Sequence, residues 1–371
     1  MNIGFDAKRA FWNNTGLGNY SRFVISGMAD FHPEHTFTLF SPGINLKSEI
    51  RPILDKQNTK TIDLGKSLTG KAKRSFVFEM PEIDIYHGLS NELPFFISKN
   101  RPKLIVSIHD LLFLRYPEFY PFLDRQIYKL KTLYACKKAD LIIAISEQTK
   151  SDLINFLQIP ESKIKVHYQS CHPQFRITHT KSDIQNIVIK YGITQPYILQ
   201  VGTLENRKNA LLTLKAFNKS KARTDFQLIF LGNRTQYCDE LEKYVIDNNL
   251  SNKVQFIYKS SFPDFPYLFQ GASLSMYPSL FEGFGIPVLE AMFSGTPVIT
   301  SQGGCFVEVG GDAVEYIDPL NFIAFAEKID LILTNKEVAS DLILKGKKRS
   351  ELFMPEKLIN DLEHIYQSLL N

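Results

Sequence analysis

No stretch of this 371-residue chain approaches ~18 uninterrupted apolar residues, so no membrane-spanning helix is expected. The opening residues, MNIGFDAKRAFW, enter a strand at once and lack the apolar core of a signal peptide. Cysteine is scarce: Cys136, Cys171, Cys238 and Cys305 are widely scattered and form no CxxC pair. That excludes a disulfide framework and a zinc-ribbon pattern, and it fits a reducing, cytoplasmic setting. No basic stripe is interleaved with aromatics on one element, so nucleic acid is not an expected partner. No pair of acids with metal-ligand spacing stands in a suitable loop, so no metal is expected. Internal repeats and low-complexity tracts are also missing. Net charge is only +4, yet it is uneven. Residues 1–175 carry 23 Lys and Arg against 17 Asp and Glu, whereas the remainder carries 20 against 22. The basic half is either ordinary scatter or a face for anionic lipid or an anionic acceptor.

What is present concentrates in Pro278–Thr300, PSLFEGFGIPVLEAMFSGTPVIT. A short apolar strand (Leu274, Met276) precedes it and another (Val298, Ile299) ends it. Between them lie Glu282, the turn Gly283-Phe284-Gly285, Ile286, Pro287 at a helix start, and Glu290 in the expected first turn. Bare glycines let a backbone approach a ligand. Pro suits the start of a helix, where a missing N–H is harmless. The free N–H groups of Gly285 and Ile286, with the helix dipole, favour an anion such as phosphate. Glu290 can accept two hydroxyl hydrogen bonds, as a ribose diol offers. Glu282, before the glycines, can meet a second hydroxylated group. A diphosphate flanked by two polyols describes a nucleotide sugar. Alternatively, Glu290 merely complements the dipole and Glu282 is a solvated loop residue.

FEGFGIPVLEAMFSGTPVI closely resembles the glutamate-x7-glutamate signature of glycosyltransferase family 4. Val201-Gly202-Thr-Leu-Glu-Asn-Arg207-Lys208-Asn209 resembles that family's donor-phosphate loop. Gly16-Leu-Gly18 resembles its N-terminal glycine loop, and His109-Asp110 its strand-end histidine. The landmarks run in the family's order from residue 1 to about residue 300. The resemblance implies a GT-B fold, α/β, with two Rossmann-like domains whose parallel sheets face across a cleft, and transfer with retained anomeric configuration. It implies that His109 lies near the donor sugar. Some family members carry arginine directly after the loop's glycine. Here that position is Thr203, which puts more of the diphosphate contact on Arg207 and Lys208.

Length agrees with two domains. Strands are expected at 2–6, 36–41, 83–87, 104–109, 141–145 and 163–167, then at 197–201, 227–231, 254–258, 274–277 and 296–300. Helix-like stretches such as 121–138 and 208–220 separate them. This alternation predicts parallel sheets. The polar stretch 176–189 reads as the link. The expected division is therefore 1–175 on the acceptor side, 176–354 for the nucleotide sugar, and 355–371 as a helix. That helix carries an apolar stripe at Leu358, Leu362, Ile365 and Leu369, and the resemblance implies that it crosses back to the N-terminal domain.

The remaining residues bear two readings each. Arg207 and Lys208 stand before a helix, where cations oppose the dipole, so they either hold a diphosphate or form a surface pair. His109 is either a cleft residue or a capped strand end paired with Asp110. The loop 14–19, ahead of a helix expected from Tyr20, either brings Gly16 and Gly18 toward phosphates or is a plain tight turn. Trp12, the single tryptophan, stacks on a sugar or packs.

The expected activity is transfer of a hexose, of mannose or glucose type, to a glycan or lipid-linked glycan acceptor during cell-surface polysaccharide synthesis. The donor, GDP-mannose or a UDP-hexose, is a substrate, and no cofactor is expected. Peripheral contact at the inner face of a membrane would run through the basic N-terminal domain. Two other readings stay open: a GT-B sugar-nucleotide epimerase, and a non-catalytic nucleotide-sugar-binding component of an assembly complex.

Overall fold

Short runs of Ile, Val, Leu and Phe form strands buried on both faces, as parallel sheets require. In the computed structural model, which describes residues 1–45, 50–65, 83–94 and 101–371, contacts divide the chain into two units. One comprises Met1–Ser170 with Phe353–Asn371, the other Cys171–Leu352.

The first unit holds β1 (Asn2–Asp6), β2 (Thr36–Ser41), β3 (Thr59–Asp63), β4 (Ile85–Gly88), β5 (Lys103–Ile108), β6 (Leu141–Ala144) and β7 (Ile164–Val166). They form one parallel sheet in the order β3-β2-β1-β4-β5-β6-β7. The second unit holds β8 (Tyr197–Val201), β9 (Gln227–Leu231), β10 (Val254–Ile257), β11 (Leu274–Tyr277), β12 (Val298–Ser301) and β13 (Glu315–Ile317). Its parallel sheet runs β10-β9-β8-β11-β12-β13. Each order reverses once, at β1/β4 and at β8/β11. At such a switch point the following loops part to opposite faces and leave a crevice at the strands' carboxyl ends.

Two strands differ from the sequence expectation by their presence. TKTID (β3) and EYI (β13) are edge strands of mixed polarity, and neither offers the apolar run that marks the interior strands. The stretch read as a link is mostly a helix, Lys181–Lys190, within the second unit. Thr180 caps it by accepting from Asp183 N at 3.1 Å, a T-x-x-D start signal inside a polar-looking stretch.

The last helix, Pro355–Leu370, belongs to the first unit and packs on the helix Gly16–Phe31. Its buried stripe is Leu358, Ile359, Leu362 and Tyr366, one step round from the stripe expected. Glu363 is buried as well, because His35 Nε2 lies 3.2 Å from its carboxylate and Gln367 donates to it at 2.5 Å. Tyr366 OH is hydrogen-bonded to His87 Nδ1 at 2.6 Å, and His87 Nε2 to Ser107 Oγ at 2.8 Å. Burial holds His87 neutral, with a pKa pushed down to about 3. All four cysteines are buried and unpaired. No helix among the described residues is long and apolar enough to cross a membrane.

Candidate active site

The loops that follow β8 and β11 bring the two sequence motifs together at the switch point of the second sheet. After β8 the chain turns through Gly202, whose φ of +133° few side chains tolerate. It then makes a single 3-10 turn, Asn206–Lys208, ahead of the helix Ala210–Lys219. Asn209 ends that turn in the left-handed region and stitches the loops, donating its side-chain amide to Pro278 O at 3.2 Å and Pro319 O at 2.8 Å. Leu280 N donates to Arg207 O at 2.8 Å, and Gln200 Nε2 donates to Lys208 O at 2.9 Å.

This stitching gathers charge in a confined place. Arg207 Nη1 and Lys208 Nζ both reach Glu282 Oε1 at 2.6 Å, with side chains only 12–18% exposed. Arg207 also pairs with Glu205 at 2.5 Å and donates to Phe281 O at 3.0 Å. Lys208 donates to the Tyr277 hydroxyl and sits over that ring, 4.7 Å from its centroid. Burial opposes the ionised Glu282, but the two cations win and hold its pKa down at about 2. Lys208 moves below its usual range because it is buried, despite the pull of Glu282. The sequence placed Glu282 toward a polyol and the cations toward phosphate; the structure joins all three in one network. Two cations and two carboxylates leave it near neutrality, so a diphosphate would bring charge that the cations can meet only by sharing themselves with Glu282.

Glu290 behaves differently. The helix runs Ile286–Ser294 with Pro287 in its second position, so Glu290 falls beyond the first turn. It is 6% exposed and makes no hydrogen bond or close ion pair with the described residues. Burial lifts its pKa to about 8, moderated by the distant Lys208 charge. Gly285 stands at the N-cap with φ +96°, and the N–H groups of Gly283, Gly285 and Ile286 have no partner among the described residues. Phe284 is buried and anchors the turn.

In the first unit the expected groups are quieter. The helix beginning at Tyr20 in the sequence reading starts at Gly16 and runs to Phe31, so Gly16 and Gly18 lie inside its first turn and not in a loop. A Cβ on Gly18 would fall 1.7 Å from Asn13 O, whereas Gly16 faces open space. Asn13 Oδ1 accepts from Gly18 N at 3.1 Å and from Thr15 N at 2.8 Å, so one of the N–H groups meant for a ligand is already capped. His109 is 6% exposed. Its Nε2 donates to Leu89 O at 2.9 Å and its ring meets Tyr20 edge-on at 4.7 Å. Burial drops its pKa to about 4, so it is neutral and its Nε2 proton is committed. Its backbone is held by Asn91 and Thr149, and the Asp110 carboxylate accepts from Leu112 N at 3.0 Å. Trp12 is 43% exposed and donates to Gly43 O at 3.2 Å. Among the described residues, one group of His, Cys, Asp and Glu side chains has ligand atoms close enough to share an ion: His32, Glu34 and His35, in the first unit.

Residues 183–349 match the family described as Glycosyl transferases group 1, and residues 24–173 match Glycosyltransferase Family 4. The chain is thus a glycosyltransferase with a Family 4 domain followed by a group 1 domain. It is 26% identical over its whole length to the O-antigen chain mannosyltransferase B of Escherichia coli, also matched over its whole length. It is 30% identical to the O-antigen chain mannosyltransferase RfbU of Salmonella typhimurium over 58% of this chain and 56% of that one. Its fold is similar to that of Anabaena Alr3699/HepE, crystallised with UDP and glucose. The TM-score is 0.77 at 18% identity, over 99% of this chain and 100% of that one.

In this glycosyltransferase the sequence reading left Tyr277 outside its motifs and gave no role to Glu205 and Asn209 inside the Val201–Asn209 loop. Tyr277 ends β11 directly before the glutamate motif, so adjacency to a motif at a strand end was the available signal.

Proposed function

We propose that the chain is a retaining hexosyltransferase that moves a mannose- or glucose-type sugar from GDP-mannose or a UDP-hexose to a glycan or lipid-linked glycan in cell-surface polysaccharide synthesis. The observation that carries this reading is the Arg207–Lys208–Glu282 network beside the unpartnered N–H groups of Gly283, Gly285 and Ile286. The donor diphosphate takes the cations and those N–H groups. As the glycosidic bond breaks, negative charge grows on the departing phosphate, where such contacts stabilise the transition state most. Glu290 accepts the ribose hydroxyls and Glu282 meets the donor sugar. Lys208 is positioned to supply charge without a metal. Front-face attack, with the leaving phosphate taking the acceptor's proton, needs no dedicated base. That suits a His109 whose Nε2 proton is engaged by Leu89.

The names of the Escherichia coli and Salmonella relatives favour an O-antigen-type product and mannose. The Anabaena complex with UDP-glucose keeps a uridine donor in view. The testing experiment supplies GDP-mannose or UDP-glucose, with and without a lipid-linked glycan acceptor, and follows nucleotide release and product anomer by NMR. Acceptor-dependent transfer with retention supports the reading. Donor conversion without acceptor would make the protein an epimerase, and no turnover of any donor would leave the non-catalytic alternative.

A further inference from the structure

A second cluster of polar side chains lies at the edge of the first sheet opposite His109, where the helix Gly16–Phe31 gives way to β2. The connection is His32-Pro33-Glu34-His35. His35 N donates to His32 O at 3.1 Å, closing a tight turn with Pro33 at its second position, where a fixed φ suits the bend. The turn brings its first and last rings together, 13° from parallel with centroids 5.8 Å apart. Glu34 Oε1 lies 3.3 Å from His32 Nδ1 and 3.6 Å from His35 Nε2. From the last helix, Glu363 Oε1 stands 3.2 Å from the same His35 nitrogen. The side chains of His32, His35 and Glu363 are 6–14% exposed, and Glu34 is open to water.

Hydrogen bonds alone do not account for this arrangement. One Nε2–H cannot serve two carboxylates, and 3.6 Å is too long for such a bond. Neither carboxylate pairs with Lys or Arg among the described residues. His32 Nε2 is buried without a partner there, so no second bond fixes that ring's proton. A dication at the centre meets all four groups. Zn²⁺ bonds imidazole nitrogen and carboxylate oxygen at about 2.0–2.2 Å, and a tetrahedron of that radius has edges of about 3.3–3.6 Å. The separations of 3.2, 3.3 and 3.6 Å match those edges to within about 0.1 Å.

We propose that His32, Glu34, His35 and Glu363 form a four-ligand site for a divalent transition metal of zinc type, which clips the last helix to the turn before β2. Two imidazole nitrogens with two carboxylate oxygens suit Zn²⁺ and its neighbours better than Mg²⁺ or Ca²⁺. Binding requires His35 Nε2 to lose the proton it donates to Glu363. That proton passes to Nδ1, where Met1 N, 3.2 Å away, accepts it after shedding one of its own to solvent. Closed by four protein ligands, the site is structural. It lies at the amino ends of β1 and β2, so removing its metal acts on the folding of the first unit and not on sugar transfer.

The test uses the full chain, free of any affinity tag and stripped of metal, without donor or acceptor, so a failed glycosyl-transfer reading leaves it intact. Calorimetric titration with Zn²⁺ should show one site with Kd of about 10 μM or tighter. Co²⁺ should give the visible absorption of a tetrahedral centre. Zn²⁺ at about 100 times Kd should raise the melting temperature by at least about 3 °C. Glu34→Ala, which alters an exposed side chain, should weaken Zn²⁺ binding at least about tenfold, and His32→Ala should weaken it further. Should His32→Ala fail to fold, Glu34→Ala carries the prediction alone. Wild-type binding weaker than about 10 μM overturns the proposal. So does a folded Glu34→Ala that binds Zn²⁺ like wild type, or bound Zn²⁺ that leaves the melting temperature unchanged.

Discussion

The carboxyl edges of the two sheets share a topology and differ in electrostatics. At β8/β11 two cations crowd on one oxygen of Glu282, and the buried Glu290 has no hydrogen-bond partner among the described residues. At β1, β4 and β5 the buried histidines are neutral and hydrogen-bonded, His109 to Leu89 and His87 to Ser107 and Tyr366, while the buried Asp6 accepts from Lys8 N and the buried Arg22 donates to Ala10 O and Asn13 O. Buried charge is expensive unless paired, and pairing seldom repays the full penalty. A fold that keeps Arg207, Lys208, Glu282 and Glu290 in one small region is stabilised elsewhere for the sake of what that region binds. At the first unit's edge the buried charges of Asp6 and Arg22 bond backbone groups and do not crowd on one atom.

The comparison breaks most sharply at Lys208. Lys208→Ala should lower kcat/KM for donor by about 10²–10³-fold, the scale of one lost transition-state donor. Stability should fall by only about 1–2 kcal/mol, since Arg207 still pairs with Glu282. Steady-state kinetics with a melting curve decides it; unchanged turnover rejects the phosphate role.

In the first unit the large effect should be on folding. Gly18→Ala forces a methyl onto Asn13 O and should cost about 3 kcal/mol or more. Gly16→Ala, with open space around it, should stay within about 0.5 kcal/mol of wild type. Denaturant titration measures both, and equal stability in the two variants would show that the glycine pair is not held by packing.

The two glutamates should respond oppositely to pH. Glu290 sits near pKa 8 when ligand-free, and a ribose diol needs its ionised form. Affinity for GDP or UDP should therefore rise with pH by up to about tenfold per unit from pH 6 toward 8, then level off. Glu290→Gln should bind nucleotide weakly with a flat profile, whereas Glu282→Gln should keep nucleotide affinity and lose transfer. For stability, the raised Glu290 helps below its unfolded pKa and that help is lost as pH climbs through 8. The depressed Glu282 helps above its unfolded pKa, by up to about 3 kcal/mol, and loses it as pH falls toward 2. Parallel pH profiles for the two Gln variants would contradict the separation. The smallest expected effect is that of EDTA: activity should change by less than about twofold, because cations and helix N–H groups take the place of a metal. Activity abolished by EDTA and restored by Mg²⁺ would reverse this.

The sheet-forming segments were legible because buried parallel strands are apolar runs, and edge strands such as β3 and β13 were not, because half-solvated strands need no such run. The Glu282–Glu290 and Arg207–Lys208 motifs were legible as neighbours in kind, but their mutual pairing depends on β8 and β11 being adjacent, which no local pattern states. Gly16 and Gly18 misled as a loop because glycine in a first helical turn and glycine in a turn look alike until Asn13 is seen beside them. The burial of Glu290, and with it the pH dependence, comes from tertiary packing alone.

Calorimetric titration of the full chain with GDP and with UDP, repeated on Lys208→Ala and Gly16→Ala, tests the central claim most directly. The account predicts saturable binding of at least one nucleotide by wild type, loss of at least about tenfold in affinity for Lys208→Ala, and a folded Gly16→Ala protein that still binds. No binding of either nucleotide, or equal affinity with and without Lys208, would contradict it.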